Sequence, residues 1–341
     1  MSDGEFDTKE GNDMRLLNRE EIKKVFTIHD AITCGKIAFK MISEGSCEIP
    51  LRTNIQVPRY QGSMLFMPAY AQELDAAALK IINIFPQNID KGLPSAPAQL
   101  LLIDGKTGIV SAILDGTYVT QLRTGAASGA AFSLLAKKDC RRGAIIGTGG
   151  QAPSQLEAML AVRPLEEVRV FDLNFDRSQA FADRMREELS QYGANIIAVP
   201  TADEAICDAD LIVTLTPSST PVFNGTKVKP GATVSCVGSY QPHMQEVDPV
   251  LLQRASKIYF DSRSAVLAEA GDIIIPLQEG LITEAAFTGE LGQVVLGNLT
   301  GRENDEEIIV FETVGVAIQD LVAAKCILDK AVAANGGVLW Q

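Results

Sequence analysis

Two patterns of apolar positions divide the chain. From Arg52 to Leu114 short apolar runs of strand length follow one another between turn residues. From Gly143 to Phe311 runs of four or five apolar residues alternate with segments of helical period. Ahead of both, Met1 to Asp13 is polar, acidic and glycine-containing, and reads as a disordered tail. Asn18 followed by Glu20 and Glu21 predicts a capped helix start, carried on by Ile22, Val25, Phe26 and Ile28. A second helix is predicted over 30–43. Strands are predicted over 52–57, 63–70 and 77–85. Gln99–Ile103 and Ile109–Leu114 flank Asp104-Gly105-Lys106-Thr107-Gly108, a hairpin by its turn chemistry, and Asp115-Gly116 ends its second strand. A long helix rich in small residues is predicted from Thr120 to Leu135.

The stretch from Gly143 to Asp172 is the most informative. The apolar run Ala144-Ile145-Ile146 leads into the turn Gly147-Thr148-Gly149-Gly150-Gln151-Ala152. A helical segment follows, and a second apolar run ends in Asp172. Strand, glycine turn, helix, strand and acid is the order of a dinucleotide-binding βαβ unit. Gly147 permits the tight turn and Gly149 the approach of a pyrophosphate. Ala152 allows close helix–strand packing, and the helix N-terminus offers free N–H groups to phosphate. Asp172 stands where a carboxylate accepts from a ribose 2′-OH, which favours NAD; Asn174 and Arg177 leave room for NADP. Pro153 fits only in the first helical turn. Further strands are predicted over 196–199, 211–215, 233–237, 257–260 and 308–311, and helices over 178–192, 201–207 and 317–334. A helix-and-turn region is expected over 289–297 and a loop over 304–307. The alternation predicts a doubly wound parallel sheet with both faces covered. The last helix, amphipathic through Ile318, Leu321 and Val322, is expected to return to the first half and make that domain discontinuous.

With 341 residues the chain suggests two domains and a core large enough to need no disulfides. Its net charge of −13 argues against nucleic acid or an anionic membrane as partner. The six cysteines form no CxxC and no metal-ligand spacing with the two histidines, and no leader segment is evident. They read as reduced thiols of a cytoplasmic protein, and no metal is expected. An anionic substrate would need isolated cations at apolar positions. Lys80 lies within an apolar run, where by composition alone it reads as a strand lysine turned to solvent. Arg123, near the start of its predicted helix, is at the end where acids are favoured. Either it is held to receive an anion or it is a surface arginine.

Several ordered motifs resemble the ornithine cyclodeaminase/μ-crystallin family. They are Pro50-Leu51-Arg52, Lys80-Ile81-Ile82-Asn83, Leu114-Asp115-Gly116, Leu122-Arg123-Thr124-Gly125-Ala126-Ala127-Ser128, the glycine turn, Val237-Gly238-Ser239, and Val310-Phe311-Glu312-Thr313-Val314-Gly315-Val316-Ala317. The resemblance implies an NAD(P)-dependent homodimer. Residues 14–123 and 316–341 would form an α+β substrate-binding and dimerisation domain, and 124–315 a Rossmann-type domain. It implies that Arg52 and Arg123 hold a substrate carboxylate, and that Lys80 stands beside the reacting carbon and nitrogen as carboxylate partner or proton donor. Tyr240 would line the substrate. The cofactor contacts implied are Ser95, Thr124, Gly147, Gly149, Gly150, Gln151, Ala152, Asp172, Thr214, Thr216, Val237, Gly238, Ser239 and Thr313.

The chain departs from the cyclodeaminases in that family. Those enzymes carry an Asp just after the glycine-rich end of the fifth strand, whereas here Ser239 is followed by Tyr240-Gln241-Pro242-His243, with no acid before Glu246. The expected activity is therefore NAD(P)H-dependent reduction of a C=N bond beside a carboxylate, such as Δ1-pyrroline-2-carboxylate to proline. An ornithine cyclodeaminase, an alanine-dehydrogenase-like enzyme and a non-catalytic ligand-binding protein are the alternatives. His243 reads as a solvent-facing loop residue, with proton donation as its other reading.

Overall fold

The computed structural model describes residues 14–340, so the tail expected over 1–13 lies outside them. The chain begins with β1 (Met14–Leu17), α1 (Arg19–Val25), α2 (Ile28–Glu44), β2 (Cys47–Glu48), β3 (Thr53–Val57), β4 (Gly62–Ala71), β5 (Ala76–Ile84), β6 (Ala98–Asp104), β7 (Val110–Asp115) and α3 (Gly116–Leu135). Then come β8 (Arg142–Ile146), α4 (Ala152–Val162), β9 (Glu167–Phe171), α5 (Phe175–Glu188), β10 (Asn195–Ala198), α6 (Ala202–Ile206), β11 (Leu211–Thr214) and β12 (Thr233–Cys236). The last part holds α7 (Pro249–Arg254), β13 (Lys257–Phe260), α8 (Arg263–Glu269), α9 (Gly271–Gln278), β14 (Phe287–Glu290), α10 (Leu291–Val295), β15 (Ile309–Glu312), α11 (Ala317–Ala333) and β16 (Val338–Trp340).

Contacts divide the described chain into two units. One holds 14–27, 45–120 and 317–340; the other holds 28–44 and 121–316. In the first, a mixed sheet runs β16-β1-β7-β6-β5-β4-β2, with β3 pairing β4. The hairpin β6–β7 forms as its turn chemistry predicts: Asp104 Oδ1 accepts from the Lys106 and Thr107 amides and the Thr107 hydroxyl. α11 packs on β4, β5 and β6, and α1 packs on α11. The C-terminal helix thus belongs to the same unit as the N-terminal strands, and that unit is discontinuous in sequence.

The second unit carries an all-parallel sheet in the order β10-β9-β8-β11-β12-β15-β13-β14. From β8 the chain steps outward through β9 and β10. It then returns to place β11 on the other side of β8, which makes the β8/β11 border the topological switch point where α/β sheets bind ligands. β15, the last of these strands in sequence, inserts between β12 and β13.

Four expectations change. α2, kept with the first domain on sequence grounds, packs instead on α4 and α10 in the second unit, where Phe39 meets Phe311 edge-on at a centroid distance of 6.0 Å. α3 begins at Gly116 rather than Thr120, because the Asp115 carboxylate accepts from the Tyr118 amide at 3.0 Å and caps the turn. α5 begins at Phe175, three residues early, capped by Asn174. The region 289–297 contains the end of strand β14 as well as α10.

Candidate active-site residues in each unit

In the second unit the glycine turn sits at the carboxyl end of β8. Gly147 has φ +101° and donates to the Phe171 carbonyl at 2.8 Å. A side chain there would meet Leu215 and Thr216 of the neighbouring strand end at 3.0–3.2 Å. At Gly149 a Cβ would meet nothing within 4 Å, so the turn is open there. α4 starts at Ala152 with Pro153 in its first turn and no side chain capping its amides. Gly125 of α3 lets the two helices touch: a Cβ there would lie 2.4 Å from the Ser154 carbonyl. Gln155 Nε2 donates to the Thr124 carbonyl at 3.0 Å. These features fit a dinucleotide, whose phosphates would lie on the free amides of α4.

Asp172, at the end of β9, already has partners. Its Oδ2 accepts from the Thr148 hydroxyl at 2.6 Å and the Thr148 amide at 3.1 Å, its Oδ1 accepts from the Asn174 amide, and Arg177 Nε lies 3.7 Å away. Burial pushes this carboxyl up, but the hydrogen bonds and the Arg177 charge outweigh it and hold it below the usual range. It is an ionised acceptor held against the glycine turn, as binding a ribose hydroxyl requires.

Thr214 is buried at the end of β11, and Val237, Gly238 and Ser239 follow β12. Beneath them lies a group that sequence reasoning did not place. Glu246 is fully buried, accepts from the Thr216 amide, and puts its Oε2 2.1 Å from where a Gly238 side chain would begin. Asp272 Oδ1 accepts from the Glu246 and Val247 amides at 2.6 and 2.9 Å. The Ser239 hydroxyl donates to the Met244 carbonyl at 3.0 Å and accepts from the Asp272 amide at 3.1 Å. Burial, and then the charge of Asp272, pushes Glu246 up to about 8. Burial raises Asp272 to about 6 and Glu312 well above its ordinary value. The first acid after Tyr240 therefore faces inward as a strut under two strand-end loops, while His243 is exposed.

Arg123 is eight residues into α3, not at its N-terminus, and is buried. It is tied to the segment after β15. A side chain at Gly315, whose φ is +75°, would lie 2.2 Å from Arg123 Nη1. Buried Asp261 accepts from the Thr313 hydroxyl and the Gly315 amide at 2.6 and 2.8 Å, and feels the charge of Arg123. The surface-arginine reading is thereby set aside, and so is the dipole argument for this residue.

In the first unit, Lys80 is fully buried and donates to Asp320 Oδ2 at 2.6 Å. It lies on the buried face of β5 with Ala76, Ala78 and Ile82, between Met67 of β4 and Leu100 of β6. The solvent-facing reading of Lys80 is overturned: strand alternation puts it on the face that α11 covers. Asp320, in the first turn of α11, was not singled out from the sequence; its one signal is an acid inside the otherwise uncharged run Ala317–Ala324. Arg52, just before β3, and Ser95 are half-buried. Among the described residues no three His, Cys, Asp or Glu are grouped to hold a metal, and no helix is long and apolar enough to cross a membrane.

The model of the ornithine cyclodeaminase/mu-crystallin family matches residues 12–335. A Δ1-pyrroline-2-carboxylate reductase of Bacillus cereus is 37% identical over 319 residues, 94% of this chain and 97% of that protein. The solved Δ1-pyrroline-2-carboxylate reductase of Thermococcus litoralis, in complex with NADH and L-proline, superposes with a TM-score of 0.91 at 38% identity, covering 95% of this chain and 99% of that one. An archaeal alanine dehydrogenase dimer with bound NAD superposes with a TM-score of 0.88 at 32% identity, covering 96% and 99%. The chain belongs to the ornithine cyclodeaminase/mu-crystallin family.

Proposed function

We propose that the protein is an NAD-dependent oxidoreductase that reduces a C=N bond beside a carboxylate, with Δ1-pyrroline-2-carboxylate as substrate and L-proline as product. Its relatives at 37% and 38% identity carry that activity in their names, and one of them is solved with NADH and L-proline. The observation that carries the reading against a lyase is the place of Glu246. By the family resemblance Ser239-Tyr240 stands where cyclodeaminases carry the acid that works on the substrate amine, and the next acid here is turned inward beneath Gly238.

When bound, NADH supplies the hydride for the imine carbon. Lys80 supplies the proton for the imine nitrogen, so one hydride and one proton together convert C=N to CH–NH. Arg52 and Arg123 hold the carboxylate, and their charge withdraws electrons from the adjacent carbon. Tyr240 lines the substrate. Gly147, Gly149, Gly150, Gln151 and Ala152 receive the diphosphate and Asp172 the ribose, with Arg177 beside it as a contact for NADP. Ser95, Thr124, Thr214, Thr216, Val237, Gly238, Ser239 and Thr313 complete the cofactor contacts. The substrate domain and the Rossmann domain are those read from the sequence, with α2 moved to the latter. The working form is a homodimer, and with its six cysteines read as reduced thiols it is assigned to the cytoplasm.

Two parallel assays test the reading. Δ1-Pyrroline-2-carboxylate with excess NADH should consume NADH in proportion to imine, and ornithine with trace NAD should release no ammonia. Ammonia and proline from ornithine without net NADH change would replace the reductase by the lyase. Turnover of pyruvate and ammonia in preference to the cyclic imine would make it an alanine dehydrogenase. Lys80→Met should lower kcat by about 10²–10⁴-fold, the contribution of a placed proton donor, while NADH fluorescence titrations show unchanged binding.

A further inference from the structure

We infer that Asp320 is the positioning residue for Lys80, holding its ammonium charged and aimed from the first turn of α11. The inference rests on the proton-donor reading of Lys80 and extends it to a second residue. The geometry is short and dry: Nζ to Oδ2 is 2.6 Å, and the two side chains are 0% and 1% exposed. Lys80 lies between Met67 and Leu100, where burial disfavours the charged form of a lysine. A facing carboxylate favours the charged form instead and fixes the direction of the ammonium group.

Other charged residues on the packed elements lie on α11 and α1, Arg19 among them, and Asp104 ends β6. Along α11, Lys325 and Asp329 pair with each other at 2.6 Å, and Lys330 lies in the last turn. On α1, which packs on α11, Glu20 and Lys23 pair at the surface, and Glu21 and Lys24 sit within the same two turns. Asp320 stands in the first turn of α11, which fixes where its carboxylate meets Lys80.

The test compares Asp320→Asn and Asp320→Glu with the parent enzyme in imine reduction across pH, alongside NADH titration and thermal melting. In Asp320→Asn the basic limb of the kcat profile should move down by about one to three pH units, the shift an adjacent opposite charge produces. Asp320→Glu should keep the limb in place and lower kcat only, because the charge is kept and the aim altered. Melting adds a readout without turnover: Asp320→Asn should melt lower, and adding Lys80→Met should recover part of the loss, since the two residues are one unit. An unmoved limb in Asp320→Asn, or strictly additive melting losses, overturns the assignment. If Asp320→Asn fails to fold, the Asp320→Glu profile decides, and a displaced limb there overturns it. Full activity in Lys80→Met would instead sink the proton-donor reading itself, whatever Asp320→Asn does.

Discussion

Position 238 has room for a hydrogen and nothing larger. A Cβ there would sit 2.1 Å from Glu246 Oε2 and 2.3 Å from the Thr216 carbonyl, and neither is the free end of a surface chain. Gly238→Ala must therefore push apart the loops that follow β11 and β12. Overpacking of this kind costs about 1–3 kcal/mol. Scanning fluorimetry should show a lower melting temperature, and NADH titration a weaker affinity; unchanged values for both would mean that Glu246 swings aside at no cost. The reason for this glycine could not be read from the chain, because its neighbour in space is eight residues on and buried. Lys80 is a different case. Period two places it with Ala76, Ala78 and Ile82, so its burial was legible once the strand was trusted over the composition. Its partner Asp320 lies 240 residues away, and only the fold brings it near.

The carboxyl ends of β11, β12 and β15 hold a set of buried acids whose shared environment makes stability depend on pH. Glu246 is raised to about 8 and Asp272 to about 6, each by burial first. Glu312 and the Cys236 thiol beside them are raised well above their usual values for the same reason. The sign follows from linkage. In the unfolded chain Glu246 loses its proton near its ordinary 4.5, whereas the fold keeps it until about 8. Between those values the unfolded state binds fewer protons, so stability falls as pH rises, and above the upper value Glu246 adds no further loss. Melting temperature should drop from about pH 4.5 to about pH 8, most steeply below about pH 6, where Asp272 adds its loss to that of Glu246. Glu246→Gln keeps an oxygen for the Thr216 amide and cannot ionise, so its melting curve should be flatter over that window. An equal slope in both proteins would assign the effect to other groups. At this scale the sequence reading was strongest where pattern is local, at the βαβ unit and the hairpin. It was weakest between β12 and β15, where α7, α8, α9 and β14 are short and lack a sustained period. The insertion of β15 between β12 and β13 left no local trace at all, because strand order is set by packing between segments far apart in sequence.

For the molecule as a whole, the family could be read from the order of the motifs, but the state of assembly could not. The clearest structural argument for assembly is β3. Among the described residues it pairs only with β4, and Thr53, Asn54, Ile55 and Gln56 are all exposed, so neither face of this strand is covered by them. Leu51, Ile55 and Tyr60, around one short strand, are 62%, 49% and 51% exposed. An uncovered strand with apolar neighbours is a liability for a monomer and suits a partner surface. A net charge of −13 opposes indiscriminate self-association, so a contact at this strand would have to be specific. Light scattering of the native protein should give twice the mass of the chain. Ile55→Asp, which adds a charge where neither face of the strand is covered by the described residues, should shift the protein to the mass of one chain while each chain keeps its circular dichroism and its NADH binding. A parent protein already at the mass of one chain would remove the dimer and leave the exposed strand to another partner. A dimer unaffected by Ile55→Asp would keep the assembly but move its interface away from β3.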